Sequence, residues 1–179
     1  RIFLLEWWKF MTNNVGIIII ARMGSSRCPG KVLRKIVGRS LLGIVADRCQ
    51  KFSPNTPICI ATSQSKIDDE IEQFCWKERI PCFRGDEFNV AQRVLDAADF
   101  MDFKYVVRVN ADRPFLDFKT MEKMITFFLL NKYDIVTNQY PRISPSGLAC
   151  EVATSKIFTE NLNKKISNNE QEHIFNFFY

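Results

Sequence analysis

The stretch IIIIARMGSSRCPGKVL, Ile17 to Leu33, passes from an apolar run into a loop of small and basic residues. Four successive isoleucines, β-branched and apolar, read as a strand buried on both faces, and the loop behind it reads as an anion site. Between Met11 and Ala46 there is no Asp or Glu, whereas Arg22, Arg27, Lys31, Arg34, Lys35 and Arg39 all fall there. The whole chain carries a net charge of +5, so subtracting these six leaves the remainder at −1. That distribution describes one focused anion site rather than a protein that is basic all over.

The 179 residues are 46% apolar and 25% charged, enough for one well-formed core and one domain. The longest apolar run, Val15 to Ala21, falls well short of the ~20 residues that span a bilayer, and no membrane partner is expected. Six cysteines are scattered without a CxxC pair, which favours packed, reduced thiols and a cytoplasmic setting over a disulfide scaffold. The opening RIFLLEWWKF precedes a natural start at Met11 and is too short and badly charged for a secretory signal. Residues 1–14 are therefore read as an extension or leader without assigned function, and 15–179 as the domain.

Outward from Ile17, apolar periods of 2 and 3.6 alternate, the pattern of βαβ units around a mostly parallel sheet. Strands are expected at Val15 to Ile20, Ile58 to Ala61, Cys82 to Phe83, Tyr105 to Val109, Ile135 to Thr137 and around Ala149 to Ala153. Ser40 is expected to cap a helix carrying Leu41, Leu42, Ile44, Val45, Cys49 and Phe52. Ser65 is expected to cap one whose apolar face is Ile67, Ile71, Phe74 and Cys75, with Asp68, Asp69 and Glu70 serving its N-terminal dipole. Further helices are read over Asn89 to Phe100, through Met121, Met124, Ile125, Phe128 and Leu129, and in two stretches towards Tyr179.

Ligands of open parallel sheets bind beyond the carboxyl ends of the strands, so the loops ARMGSSRCPGK, ATSQ, FRGDE and NADRP carry the functional weight. Gly24 allows close backbone approach, Ser25 and Ser26 offer amides and hydroxyls to phosphate oxygens, and Arg22, Arg27 and Lys31 can neutralise a polyphosphate. A Walker loop is excluded: Gly24 and Gly30 enclose five residues rather than four, and Val32 stands where a magnesium-binding Ser or Thr belongs. The dinucleotide fingerprint GxGxxG is also absent from this first turn.

The arrangement resembles the cytidylyltransferases of the spore-coat polysaccharide biosynthesis protein F type, relatives of the acylneuraminate and 3-deoxy-manno-octulosonate cytidylyltransferases. Their signature ARxGSxRxPGKxL is met at Ala21, Arg22, Gly24, Ser25, Arg27, Pro29, Gly30, Lys31 and Leu33. ATS at Ala61 to Ser63, FRG at Phe83 to Gly85 followed by Val90 and Arg93, and VVRVNAD ending at Asp112 with Pro114 follow in the family's order. YPR at Tyr140 to Arg142, GLxxEV at Gly147 to Val152 and the pair Glu172 and His173 continue it.

The resemblance implies a three-layer, Rossmann-like nucleotidyltransferase fold and attack of a sugar or sugar-acid hydroxyl on the α-phosphate of CTP, giving a CMP-sugar and pyrophosphate. Arg22, Lys31 and Asp112 are then the catalytic set, with Asp112 holding Mg²⁺. Arg22, Gly24, Ser25, Arg27 and Lys31 hold the triphosphate; Thr62, Ser63 and Gly85 lie near cytosine and ribose, while Arg93 and Arg108 either approach the nucleotide or pair with Asp86 or Asp96. Glu151 and His173 face the acceptor, and a homodimer is admitted because related enzymes are commonly dimers. Two departures are expected to matter. Ala149 stands where the family usually has Asp, and the family usually continues beyond the EH motif to a second metal ligand, so the domain reads as C-terminally truncated. An impaired nucleotide-binding homologue is the alternative function. A nucleotide-sugar glycosyltransferase lacks a DxD-type pair, and an RNA-binding module lacks aromatics alternating with Lys and Arg, which argues against nucleic acid.

Overall fold

In a computed structural model, which describes residues 14–25, 27–52, 56–141, 145 and 147–162, the isoleucine run is the middle of a six-stranded sheet. The strands are β1 Val15–Ile20, β4 Ile58–Ser63, β5 Cys82–Gly85, β6 Tyr105–Asn110, β7 Ile135–Thr137 and β8 Glu151–Thr154. Their spatial order is β5-β4-β1-β6-β8-β7, parallel from β5 to β6, with β8 antiparallel to both β6 and β7. A small hairpin, β2 Lys35–Ile36 and β3 Arg39–Ser40, stands apart from this sheet. The helices are α1 Leu41–Phe52, α2 Asp69–Glu78, α3 Val90–Phe100, α4 Phe118–Asn131 and α5 Ser155–Leu162.

Successive strand residues point to opposite faces, and β1 divides accordingly. Ile17, Ile19 and Ala21 join a core with Leu42 and Val45 of α1, Ile71 and Cys75 of α2, and Met121, Ile125 and Phe128 of α4. Ile18 joins a second core with Val94, Ala97 and Ala98 of α3 and Ile157 of α5. Two helical layers thus sandwich the sheet, the expected three-layer arrangement. Each fully buried isoleucine contributes roughly 1.5–3 kcal/mol relative to exposure, which is why this run dictates the centre of the sheet. Close packing is tightest at Gly16, where an added Cβ would lie 2.1 Å from the Phe103 ring.

Cross-strand connections make the functional consequence. From β1 the chain moves outward to β4 and β5, then returns to place β6 on the other flank of β1. Connections leaving β1 and β6 therefore diverge, opening a crevice beyond their carboxyl ends. The loop after β1 runs into a 3₁₀ turn at Lys31–Leu33, and the loop after β6 carries Asp112.

Several local expectations change. The β2/β3 hairpin was not expected, because two-residue strands show no periodicity. Ser65 makes no side-chain cap; a 3₁₀ turn at Lys66–Asp68 precedes α2, and Ile67 is exposed rather than on the apolar face. Ser40 accepts from the Gly43 amide at 3.1 Å, as expected of a cap, and Asn89, where a helix is expected to begin, caps α3 by accepting the Gln92 amide. The second late helical stretch, the 1–13 segment and His173 lie outside the described residues.

Candidate functional site

The loop after β1 is folded on its own backbone. The Met23 carbonyl accepts the amides of both Ser25 and Gly30 at 2.9 Å, which draws those two residues back onto the end of the strand. Gly30 has φ 69, a left-handed conformation that a side chain would strain. Gly24 is exposed, and a Cβ there would meet nothing within 4 Å. The conformational demand on glycine therefore falls on Gly30, while the space beside Gly24 is open. Ser25 is half-buried and Arg27 exposed on the same loop.

A buried carboxylate fastens this loop to the neighbouring strand. Asp68, 1% exposed, accepts the Met23 amide on Oδ1 at 2.7 Å and both the amide (3.2 Å) and the hydroxyl of Ser63 on Oδ2. The position of Asp68 just before α2 suggests a helix-dipole role and hides one 45 residues away in the chain. Ser63, expected near the nucleotide, is buried with its hydroxyl committed to Asp68. Thr62 is fully buried, and its Oγ1 has no hydrogen-bond partner among the described residues.

Across the crevice, Lys31 Nζ meets Asp112 Oδ2 at 2.5 Å, joining the loop after β1 to the loop after β6 over 81 residues of sequence. The two side chains are 30% and 38% exposed. A pair this wet is worth only ~0–1 kcal/mol, so either partner is readily exchanged for a phosphate or a cation. Asp112 is a hard oxygen donor at a strand exit, and no cluster of three or more His, Cys, Asp or Glu side chains able to hold a metal occurs among the described residues. The donor set fits a cation held by one protein carboxylate and completed by phosphate and water, the habit of Mg²⁺.

Arg93, on α3, is completely buried. Its Nη1 donates to the Asp86 carbonyl at 2.5 Å, and its Nε and Nη2 have no hydrogen-bond partner among the described residues. Burial, then the neighbouring cation Arg22, pushes the guanidinium below its ordinary pKa. Arg22, half-buried at the end of β1, is thus close enough to add its charge to the same region. Gly85 lets Arg93 in: a Cβ there would lie 3.0 Å from Arg93 Cγ and 2.8 Å from the Phe83 ring. The Asp86 carboxylate accepts the Phe88 and Asn89 amides, which hold it below the usual carboxylate range and shape the turn into α3.

Glu151, expected to face an acceptor, is buried instead. Its carboxylate accepts from Arg108 Nε directly across the β6/β8 pair and from Gln139 Nε2 at 2.5 Å. Arg108 therefore pairs with Glu151, not with Asp86 or Asp96, because strand register puts those two side chains opposite one another. Arg113 extends the chain of contacts by donating to Gln139 Oε1 at 3.0 Å; burial and then Arg108 lower its pKa. Ala149 is buried beside this network, in a segment held by Asn138, which donates to the Leu148 carbonyl and accepts the Cys150 amide. All six cysteines are free. No helix among the described residues is long and apolar enough to cross a membrane.

The family model described as Cytidylyltransferase matches residues 16–176. The spore coat polysaccharide biosynthesis protein SpsF of Bacillus subtilis is 30% identical over 169 residues, covering 90% of this chain and 68% of that protein. The uncharacterized protein MJ1063 of Methanocaldococcus jannaschii is 30% identical over 162 residues, covering 90% of this chain and 65% of the relative. The chain thus spans about two thirds of the length of these curated relatives. Among solved structures, a cytidylyltransferase from Leptospira borgpetersenii superposes with a TM-score of 0.86 at 32% identity, over 92% of this chain and 70% of that one.

Proposed function

Because this chain belongs to the cytidylyltransferase family, we propose that it moves the cytidylyl group of CTP onto a sugar or sugar-acid hydroxyl, in the synthesis of a surface polysaccharide. The observation that carries the reading is the Lys31–Asp112 pair: a phosphate-seeking cation and a cation-seeking carboxylate meet across the switch-point crevice. In this reading they separate when a nucleotide enters, Lys31 turning to the triphosphate.

Arg22 and Arg27 hold the phosphates with Lys31, assisted by the backbone at Gly24 and Ser25. Asp112 would hold Mg²⁺, which when bound supplies charge neutralisation on the transferring and departing phosphoryl oxygens. The acceptor hydroxyl gives its proton to solvent and its oxygen bonds to the α-phosphorus as the bond to the bridging oxygen breaks and pyrophosphate leaves. Orientation and charge are what the protein contributes, and both reside in these loops. Arg93, with Thr62 and Gly85, lies on the nucleoside side; Ser63 and Asp68 hold the loops that frame it. Glu151 acts on the acceptor region through Arg108 and Gln139, which its carboxylate orients.

The test is pyrophosphate release from CTP, UTP and ATP with Mg²⁺ across a panel of sugars and sugar acids. CTP-dependent release supports the reading, and preference for ATP or UTP overturns it. The buried Ala149, where the family usually carries Asp, favours a second reading, a nucleotide-binding homologue impaired in turnover. It requires CTP binding that Lys31→Ala weakens, with no pyrophosphate from any acceptor.

A further inference from the structure

The β2/β3 hairpin has three unusual properties at one place. Its two-residue turn, Val37 and Gly38, has φ of 50 and 85, the mirror-image turn that favours Asn-Gly or Gly-Gly. A β-branched residue at positive φ is a genuine outlier, because its Cβ substituents crowd the backbone. Val37 is also fully exposed, at 101%, and its neighbour Ile36 is 46% exposed. Arg34 and Lys35, both exposed, stand at the base, and neither pairs with a carboxylate among the described residues. Arg39 on the returning strand is neutralised by Asp47 and Glu78, so the cationic side of the hairpin is the Arg34 and Lys35 side.

Folding stability explains none of this: the tip is strained, apolar and in contact with water. We propose that the β2/β3 hairpin is a peripheral docking element for an anionic phospholipid surface, with Val37 and Ile36 entering the interfacial layer and Arg34 and Lys35 held at the headgroups. A convex apolar tip flanked by cations suits a bilayer boundary, whereas a protein partner would ordinarily find a groove or a flat face. Single-stranded nucleic acid is the less suitable occupant, since Ile36 and Val37 offer no ring on which a base can stack. The lack of a membrane-spanning segment does not bear on contact of this kind.

The experiment is co-sedimentation of the full chain with vesicles of phosphatidylcholine alone or with roughly one third phosphatidylglycerol, at low and high salt. Binding to the anionic vesicles only, reduced by salt, is expected. Replacing both Arg34 and Lys35 by Ala should lower partitioning about 25-fold, at about fivefold per cation. Val37→Asn is the decisive variant: it removes the apolar tip and suits the turn, so partitioning should fall about tenfold while Tm rises by roughly 2–4 °C. Unchanged partitioning in Val37→Asn, equal binding to neutral vesicles, or binding of a single-stranded oligonucleotide that survives Val37→Asn overturns the proposal.

Discussion

Replacing Asp68 by Ala removes the carboxylate that joins the loop after β1 to the exit of β4. Three donors lose their acceptor: the Met23 amide, the Ser63 amide and the Ser63 hydroxyl. Each buried donor left unsatisfied costs about 1–3 kcal/mol. Partial entry of water into the vacated space offsets some of that, leaving roughly 3–5 kcal/mol. Against a total stability of about 5–15 kcal/mol this is a large fraction, and it lowers Tm by on the order of 10 °C. Asp68→Asn retains an acceptor for Met23 but turns an amide donor towards Ser63, so its cost falls between wild type and Asp68→Ala. Urea unfolding of the three proteins measures the series. CTP titration at a temperature where all remain folded should show weaker binding in the same order, since the anchor sets the loop that carries Arg22 and Lys31. A loss below ~1 kcal/mol for Asp68→Ala, or unaltered nucleotide affinity, would refute the assignment of Asp68 as the anchor.

Lys31→Ala should leave stability within ~1 kcal/mol, because its ion pair is exposed, yet weaken CTP at least about tenfold; the two are separated by urea unfolding and calorimetric titration. Gly16→Ala should destabilise by about 1–3 kcal/mol or more, since the buried Phe103 ring has nowhere to retreat from the new methyl group, and urea unfolding reads the loss. Amide donors hold the Asp86 carboxyl below its ordinary value, and the Thr120 hydroxyl and amide do the same for Asp117. Their contribution is therefore complete above about pH 4 and is lost as pH falls through the lowered folded-state values; the double change to Asn should flatten the acid limb of a urea-midpoint profile. Burial pushes the Cys49, Cys59 and Cys150 thiols up to about 12, so native alkylation near neutrality, read by mass spectrometry, should modify the half-buried Cys28 and Cys82 first.

Strand and helix order was legible because it depends on local periodicity. The β-branched apolar runs in Val15–Ile20 and Tyr105–Asn110, and the helical spacing through Leu42, Val45 and Cys49, each imply burial without knowledge of the partner. The hairpin at Lys35–Ser40 escaped, since its turn uses Val where the backbone favours Gly or Asn. Within the site, the motifs single out Lys31 and Asp112, and the structure brings those two side chains together. It missed Asp68, a carboxylate beside other carboxylates at a helix start, and misjudged Glu151 as presented to a ligand. A polar residue's type does not reveal whether its partner is solvent, substrate or another side chain.

The chain by itself determined the periodicity, the placement of cations in one segment and the loops in which chemistry is concentrated, because hydrophobic spacing and charge count are properties of neighbours in sequence. Only the tertiary structure decided which of those groups remain available. Parallel register around β1 brings Lys31 to Asp112, antiparallel register turns Glu151 onto Arg108, and layer packing seals Arg93 in the interior. The physical reason is that burial and pairing depend on contacts between strands and loops 43 to 81 residues apart, which the spacing of motifs along the chain does not encode.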